Sequence, residues 1–307
     1  MKKIYFFAIL LLGAITTDMH AQQNPHYTQY MYNMNVINPA YAGSKDHLSG
    51  AVLYRNQWVG IDGAPTTFSL SGSSPIGKNV GGGLSLISDK IGPVTEQNVY
   101  ADFSYTLNLG GEHRLALGLK GGVTIQNTSL FSDIDSSLPV PGDPAFAENT
   151  SNTFGNFGAG AFYYTDKYYV AFSVPNMLNA TYLDANGTKY GSSVQHYFLT
   201  GGYVFDLSPT VKFKPFTMIK TAAGAPTTVD LNTNFLFNEV FEAGLSYRFG
   251  DSVGAMVNYA ISPALRIGYA YDYTTSALNA TTQSSHEIIV LFDLNFPKKV
   301  SRSPRYF

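Results

Sequence analysis

The sequence predicts an all-β protein, an antiparallel transmembrane β-barrel of about 14 strands with an N-terminal segment in or under its lumen, and three observations carry that expectation. Charged residues are only 13% of the 307-residue chain, whereas aromatic residues are 14%, with 22 Tyr and 21 Phe against one Trp. A soluble domain usually carries about a quarter charged residues. Mean hydropathy is −0.03, and beyond the N-terminal leader there is no apolar run of the roughly 18 residues that a membrane-crossing helix needs. Finally, long stretches alternate apolar and polar residues with a period of two, which is how a barrel strand sends side chains to lipid and to lumen in turn.

The leader comes first. Lys2 and Lys3 precede the apolar stretch Ile4 to Ile15, and the small Ala21 stands before Gln22-Gln23-Asn24-Pro25. That is the layout of a cleavable secretory signal peptide, assigned to residues 1–21. Removing it takes away Lys2, Lys3 and Asp18, so the 19 basic and 21 acidic residues become 17 and 20. A slightly acidic mature chain does not suit nucleic acid, and none is expected as a partner. The absence of cysteine excludes disulfides, zinc-thiolate sites and thiol nucleophiles.

The clearest strand begins at Val99, where Val99, Ala101, Phe103, Tyr105, Leu107 and Leu109 share one face, with Asn98, Asp102, Ser104, Thr106 and Asn108 on the other. After Gly110-Gly111-Glu112, Leu115, Leu117, Leu119, Val123 and Ile125 oppose Arg114, Lys120 and Thr124. Near the C-terminus, Val229, Leu231, Phe235 and Phe237 oppose Thr228, Asp230, Asn232 and Asn234; Phe241, Leu245, Tyr247 and Phe249 oppose Glu242, Ser246 and Arg248; Leu265, Ile267, Tyr269, Tyr271 and Tyr273 oppose Arg266, Gly268 and Asp272. Weaker patterns place further strands over Gly50–Trp58, Thr66–Gly72, Val80–Ile87, Phe154–Tyr164, Lys167–Val174, Gln195–Phe205, Val211–Lys220, Ser252–Tyr259 and His286–Leu294, giving 14 in all. The lipid face is then the odd-numbered set in the central strands, and lumen positions such as Gly118 are expected to tolerate substitution.

Connection lengths provide an independent check. Outer-membrane barrels have short periplasmic turns and longer extracellular loops. The longest connections, Gln126–Thr153, Pro175–Val194 and Thr274–Ser285, are the fifth, seventh and thirteenth, all odd, whereas Thr165-Asp166, Asn238–Val240 and Ala260–Pro263 are tight and even. Within the seventh, Asn186-Gly187 is a preferred pair for a two-residue hairpin turn. The chain thus divides into a signal peptide (1–21), an N-terminal plug or periplasmic segment (22–47), the barrel (48–296) and a basic periplasmic tail (297–307).

No motif points to catalysis or to a cofactor. Asp230-x-Asn232-x-Asn234 imitates a calcium loop, but Phe235 stands where Gly is needed and Phe241 where Glu is needed, so it reads as the polar face of one strand. His286-Glu287 lacks the second His of a zinc-protease helix. Gly155, Gly158 and Gly160 do not follow dinucleotide-loop spacing and belong to a glycine-rich strand. No Gly-x-Ser-x-Gly elbow occurs. The expected lumen mixes signs, with Arg55, Lys120, Arg248 and Arg266 against Asp102, Asp230, Glu242, Asp272, Glu287 and Asp293. A selective channel tends to carry one sign at its constriction, so a mixed interior favours a filled barrel over an open pore. In residues 22–47, Tyr27, Tyr30, Met31, Tyr32, Met34 and Tyr41 are too many large side chains for a solvated leader. That segment should be buried, ending at Asn38-Pro39-Ala40-Tyr41-Ala42-Gly43, with Pro39 extending Asn38 and Gly43 allowing a sharp turn into the first strand. The candidate structural or partner-docking residues are therefore Asn38, Pro39, Ala40, Tyr41 and Gly43 with Arg55, Asp102, Lys120, Asp230, Glu242, Arg248, Arg266, Asp272 and Glu287.

Residues 22–44, QQNPHYTQYMYNMNVINPAYAGS, resemble the N-terminal hallmark of the PorP/SprF family of type IX secretion system membrane proteins. The resemblance continues through YRNQW (Tyr54–Trp58), GAPTTFSLS (Gly63–Ser71), GGGLSLISDKIGP (Gly81–Pro93), SVPNML (Ser173–Leu178), GLSYR (Gly244–Arg248), LRIGYAYDY (Leu265–Tyr273) and SHEI (Ser285–Ile288), and so spans essentially the whole mature chain. It implies a non-enzymatic component of the Gram-negative, Bacteroidetes-like outer membrane. Implied partners are outer-membrane lipid, type IX translocon or periplasmic ring components, and the C-terminal region of a secreted adhesin or other substrate, with roles in export, surface anchoring and gliding motility. The alternative from another class is an outer-membrane pore for a small or hydrophobic solute.

Overall fold

The computed structural model describes residues 26–129, 149–178, 184–185, 188–189, 194–223, 225–282 and 284–294. The signal peptide, the basic tail and the Asn186-Gly187 turn lie outside the described residues. Each alternating stretch forms a strand: β1 (Leu48–Asn56), β2 (Thr66–Gly77), β3 (Val80–Ile91), β4 (Val94–Gly110), β5 (His113–Thr128), β6 (Thr150–Tyr164) and β7 (Tyr168–Val174). The ring continues with β8 in two pieces, His196–Tyr203 and Phe205–Ser208, then β9 (Val211–Ala222), β10 (Ala225–Phe237), β11 (Phe241–Arg248), β12 (Ser252–Ser262), β13 (Leu265–Thr274) and β14 (Ser284–Leu294). Neighbours in sequence pair antiparallel, and β1 pairs with β14 from Leu48↔Leu294 to Asn56↔His286, so the 14-strand barrel is closed. Closure leaves no open sheet edge to satisfy in hydrocarbon.

The register follows the sequence period. Phe103, Leu107, Leu117, Leu119, Leu231, Leu245 and Ile267 are outward and exposed, Leu119 by 64% and Leu245 by 63%, whereas Asp102, Ser104, Lys120, Thr124, Asp230, Asn232 and Asn234 are buried inside. Among the described residues no helix is long and apolar enough to cross a membrane; the crossing is made by strands. All even-numbered connections are two or three residues, such as Lys78-Asn79 and Gly111-Glu112, while Gln57–Pro65 and the three longest connections are odd. The barrel therefore has a short-turn rim and a long-loop rim. In the seventh connection Asp184↔Lys189 and Ala185↔Thr188 pair as a small hairpin.

Some boundaries differ from the sequence expectation for local reasons. β1 stops at Asn56 rather than Trp58, because Trp58 takes a left-handed φ of 52° and the chain turns out of the ladder. β4 starts at Val94, since the Gly92-Pro93 turn is tight enough for Ile91↔Val94 to pair. The twelfth turn is Pro263-Ala264 instead of Ala260–Pro263, because β12 runs on through a bulge between Ala260 and Ser262.

Candidate functional site

The interior is built around residues 26–44. Composition requires burial of their aromatics, and Tyr30, Met31 and Met34 are essentially inaccessible. The chain makes a 3-10 turn at Tyr30–Tyr32, one helical turn α1 (Met34–Ile37) and a second 3-10 turn at Pro39–Tyr41. Asn38 is extended, as the residue before proline prefers, and its side chain accepts from Ala40 N at 2.9 Å to cap the turn that Pro39 opens. Gly43, at φ 68°, turns the chain toward β1.

The wall is cut to fit this segment. A Cβ on Gly118 would lie 2.2 Å from Ala40 N, and one on Gly160 would lie 2.1 Å from Asn38 Oδ1. The tolerance expected of Gly118 is thus corrected: the lumen is occupied at that position by backbone. Asn38 Nδ2 donates to Ala161 O at 3.1 Å, Ser173 Oγ to Ile37 O at 2.9 Å, and the Tyr41 ring meets Phe162 edge-on at 5.4 Å.

The mixed charges resolve into pairs, most of them tied to the segment. Arg55 Nη1 lies 2.8 Å from Asp272 Oδ2 and 3.1 Å from Glu287 Oε2, and donates to Thr28 Oγ1 at 3.0 Å. Glu287 in turn accepts the backbone N–H groups of Thr28 and Gln29 at 2.9 and 2.8 Å. Arg248 grips Asp230 through Nε and Nη2, both at 2.9 Å. Lys120 and Asp102 pair at 2.8 Å with no side-chain exposure, and Lys120 reaches Asn35 O at 3.4 Å. Glu242 takes Lys214 at 3.0 Å, Asn234 Nδ2 at 2.8 Å and the Tyr32 hydroxyl. The Tyr32 hydroxyl donates to Glu242, and the Tyr30 hydroxyl accepts from Asn232 Nδ2 at 3.3 Å.

Two expected lumen charges sit elsewhere. Arg266 is at the start of β13 and donates to Glu239 O at 3.0 Å and Val240 O at 3.5 Å, pinning the β10–β11 turn at the short-turn rim instead of joining a lumen pair. Asp293, one residue from the end of β14, binds Lys45 at 3.1 Å and His47 at 2.9 Å at the same rim. Both are inward by parity but too close to a strand end to reach the interior. The sequence reading missed Lys214, partner of Glu242, and Lys220, whose Nζ lies 3.1 Å from His26 Nε2. Pro215 breaks the alternation of β9 and hid both, although pairing β9 with the polar face of β10, where Lys214 opposes Asn234, would have exposed them. Among the described residues no cluster of three metal-ligating side chains occurs.

A closed antiparallel barrel with an apolar outer band, an ion-paired interior and a chain segment threaded through it defines an integral outer-membrane protein with an occupied lumen. The chain belongs to the PorP/SprF family: the model for the type IX secretion system membrane protein PorP/SprF matches residues 19–292. No curated protein matches the chain. Among solved structures it is similar to the CymD monoaromatic hydrocarbon channel (13% identity, 92% of this chain, 96% of that one, TM-score 0.50). It is also similar to Omp33 of Acinetobacter baumannii (12%, 81% and 97%, TM-score 0.47) and a FadL homologue of Pseudomonas aeruginosa (12%, 92% and 97%, TM-score 0.46). At such identities the likeness is one of fold alone.

Proposed function

We propose that this protein is a non-enzymatic outer-membrane component of the type IX secretion system that supports export or surface anchoring of secreted proteins such as adhesins, including those used in gliding motility. It acts as a filled scaffold whose rims and loops meet the translocon, periplasmic ring components or the C-terminal region of a secreted substrate. The short-turn rim faces the periplasm and the long-loop rim the exterior, in keeping with the loop lengths of such barrels. The observation that supports a scaffold over a diffusion pore is the occupied lumen: residues 26–44 contact wall strands from β1 to β14, and Thr28, Gln29, Asn33, Asn35 and Asn38 hydrogen-bond to the wall. A channel for solutes would need that segment displaced.

Deleting Asn24–Asn35 while keeping the signal peptide tests this reading. A stable barrel that opens steadily in planar bilayers supports a plug, and lost secretion from a stable, closed barrel supports docking. Wild-type closure, stability and secretion in the deletion would remove both. Steady large openings from the intact protein would favour the solute pore instead.

A further inference from the structure

The short-turn rim is uneven at β7 and β8. β7 starts at Tyr168, which pairs with Tyr203, whereas β8 runs on to Ser208. Phe205–Ser208 therefore pairs with β9 alone, and among the described residues no strand stands on its other side. Val204 N–H points to that side and donates to Lys167 O at 2.7 Å. Backbone groups alternate in direction along a strand, so the N–H and C=O of Asp206 face the same open edge.

This edge lies at the short-turn border of the apolar band. Across the ladder Leu107 connects through Leu115, Tyr163 and Val170 to Gly201. The same row runs on around the ring to Tyr273, beside the long loops, and so climbs away from the short turns. At ordinary strand spacing and tilt it climbs about 3 Å per strand, while each residue along a strand spans about 2.5 Å of height. Phe205 and Leu207 then stand within about 3 Å of the height of Leu107, and the Thr165–Lys167 turn is recessed by about 10 Å relative to Gly111-Glu112. Both side chains are exposed outward, and the rings of Tyr203, Phe205, Phe213 and Phe235 follow one another at 4.2, 5.9 and 5.0 Å between centroids. The ring is closed through the membrane, but at this border an apolar-faced strand ends with one side unpaired, a template for another strand.

The inner side of the recess is charged. Asp206 is bracketed by Lys167 at 3.1 Å and Lys212 at 2.8 Å, and the Lys167 side chain, 57% exposed, has room for a second carboxylate. We infer that the recess is a docking site for an extended acidic segment of a partner polypeptide, which adds antiparallel to Phe205–Ser208 as one further strand. Its apolar side chains continue the outer band beside Phe205 and Leu207, and a carboxylate opposite Asp206 meets Lys167. In antiparallel pairing the residue opposite Asp206 turns its own N–H toward β8. The chain's own last residues, with Lys298, Lys299, Arg302 and Arg305 and no acidic side chain, carry the opposite sign. The site needs only the barrel's placement in the membrane, not the proposed role in secretion.

The chain has no cysteine, so Thr210→Cys, in the exposed β8–β9 turn, can hold peptides on the full-length barrel by a disulfide. The folded variant in nanodiscs is equilibrated in a thiol–disulfide buffer with the amide of Cys-Gly-Val-Glu-Val-Thr, its Lys-for-Glu counterpart and an all-glycine control, and mass spectrometry reads the share of each mixed disulfide. The acidic peptide is held best, about threefold over the basic one, the size of one cross-strand charge pair. A methyl on the Glu nitrogen lowers retention about fivefold, as for one lost hydrogen bond, whereas methyls on both Val nitrogens, which face away from β8, do not. Lys167→Gln removes the preference for acid. Asp206→Pro, which deletes the edge N–H without touching the β9 ladder, brings the acidic peptide down to the glycine control, and Asp206→Ala keeps the difference between the methylated peptides. Heat-modifiable mobility confirms that each variant is folded. Retention no better than the glycine control overturns the inference, including the case in which the chain's own tail covers the edge. Equal retention of the two methylated peptides, or of the acidic and basic ones, overturns it too, as does Asp206→Pro behaving like Asp206→Ala.

Discussion

Replacing Arg55 by Met would remove one cation from between two buried carboxylates. The guanidinium is within 2.8 Å of Asp272 and 3.1 Å of Glu287, whose side chains are 4% and 0% exposed, and it also donates to Thr28. Breaking a buried pair by deleting one partner costs about 3–5 kcal/mol, because the remaining charge stays desolvated without compensation. Two carboxylates share this cation, so the upper part of that range is expected. Neutralising the acids as well, in R55M/D272N/E287Q, removes the stranded charges and leaves mainly weakened hydrogen bonds to Thr28 and Gln29, a cost of about 1–2 kcal/mol. Guanidinium unfolding of the barrel refolded into short-chain phosphatidylcholine vesicles, followed by its heat-modifiable mobility, measures both. Chymotrypsin added to the folded variants, able to cut after Tyr27, Tyr30, Tyr32 or Tyr41, reports whether the threaded segment has loosened. Should the triple variant be no more stable than R55M, or R55M lose less than about 1 kcal/mol, the interior would not depend on charge compensation as argued.

On the outer band, Leu119→Arg, near the middle of the membrane-crossing part of β5, should cost about 2–4 kcal/mol, and Leu109→Arg, beside the Gly110-Gly111 turn, about 0–1 kcal/mol; equal refolding yields in vesicles would refute the register. Gly118→Val should expel residues around Ala40, because the new Cβ falls 2.2 Å from Ala40 N, so segment 26–44 becomes protease-sensitive and conductance rises while the barrel stays folded; a closed, protected Gly118→Val would contradict the close fit. An epitope tag inserted at position 187, in the connection whose hairpin pairs Asp184 with Lys189, should be reached by antibody on intact cells, and labelling only after permeabilisation would reverse the proposed topology.

The wall was legible in the sequence because a strand at a lipid boundary obeys one strong rule, apolar outside, and the period of two transmits it residue by residue. Leu107, Leu117 and Ile267 could be assigned outward from their neighbours alone. Lumen chemistry was legible only in kind. That Asp102, Lys120, Asp230 and Arg248 face inward follows from parity, but which acid meets which base depends on strand pairing and on the segment between them. Parity also says nothing of depth, and Arg266 and Asp293 were misplaced for that reason. Gly118 shows the deeper limit. A glycine on an inner face looks permissive until the chain that fills the space above it is known, and that chain lies some eighty positions earlier in the sequence.

The hydrogen bonds from Thr28 and Gln29 to Glu287 join the segment that precedes β1 with the last strand of the ring. β1 and β14 also meet only at closure, over nine residue pairs. Such distant contacts make closure of the ring slow. Until β14 is in place, the backbone N–H groups of Thr28 and Gln29 lack the Glu287 carboxylate that they donate to in the closed ring. A chain truncated before β14 can neither close its edge nor satisfy those donors. Closing the ring and seating the segment therefore both require β14.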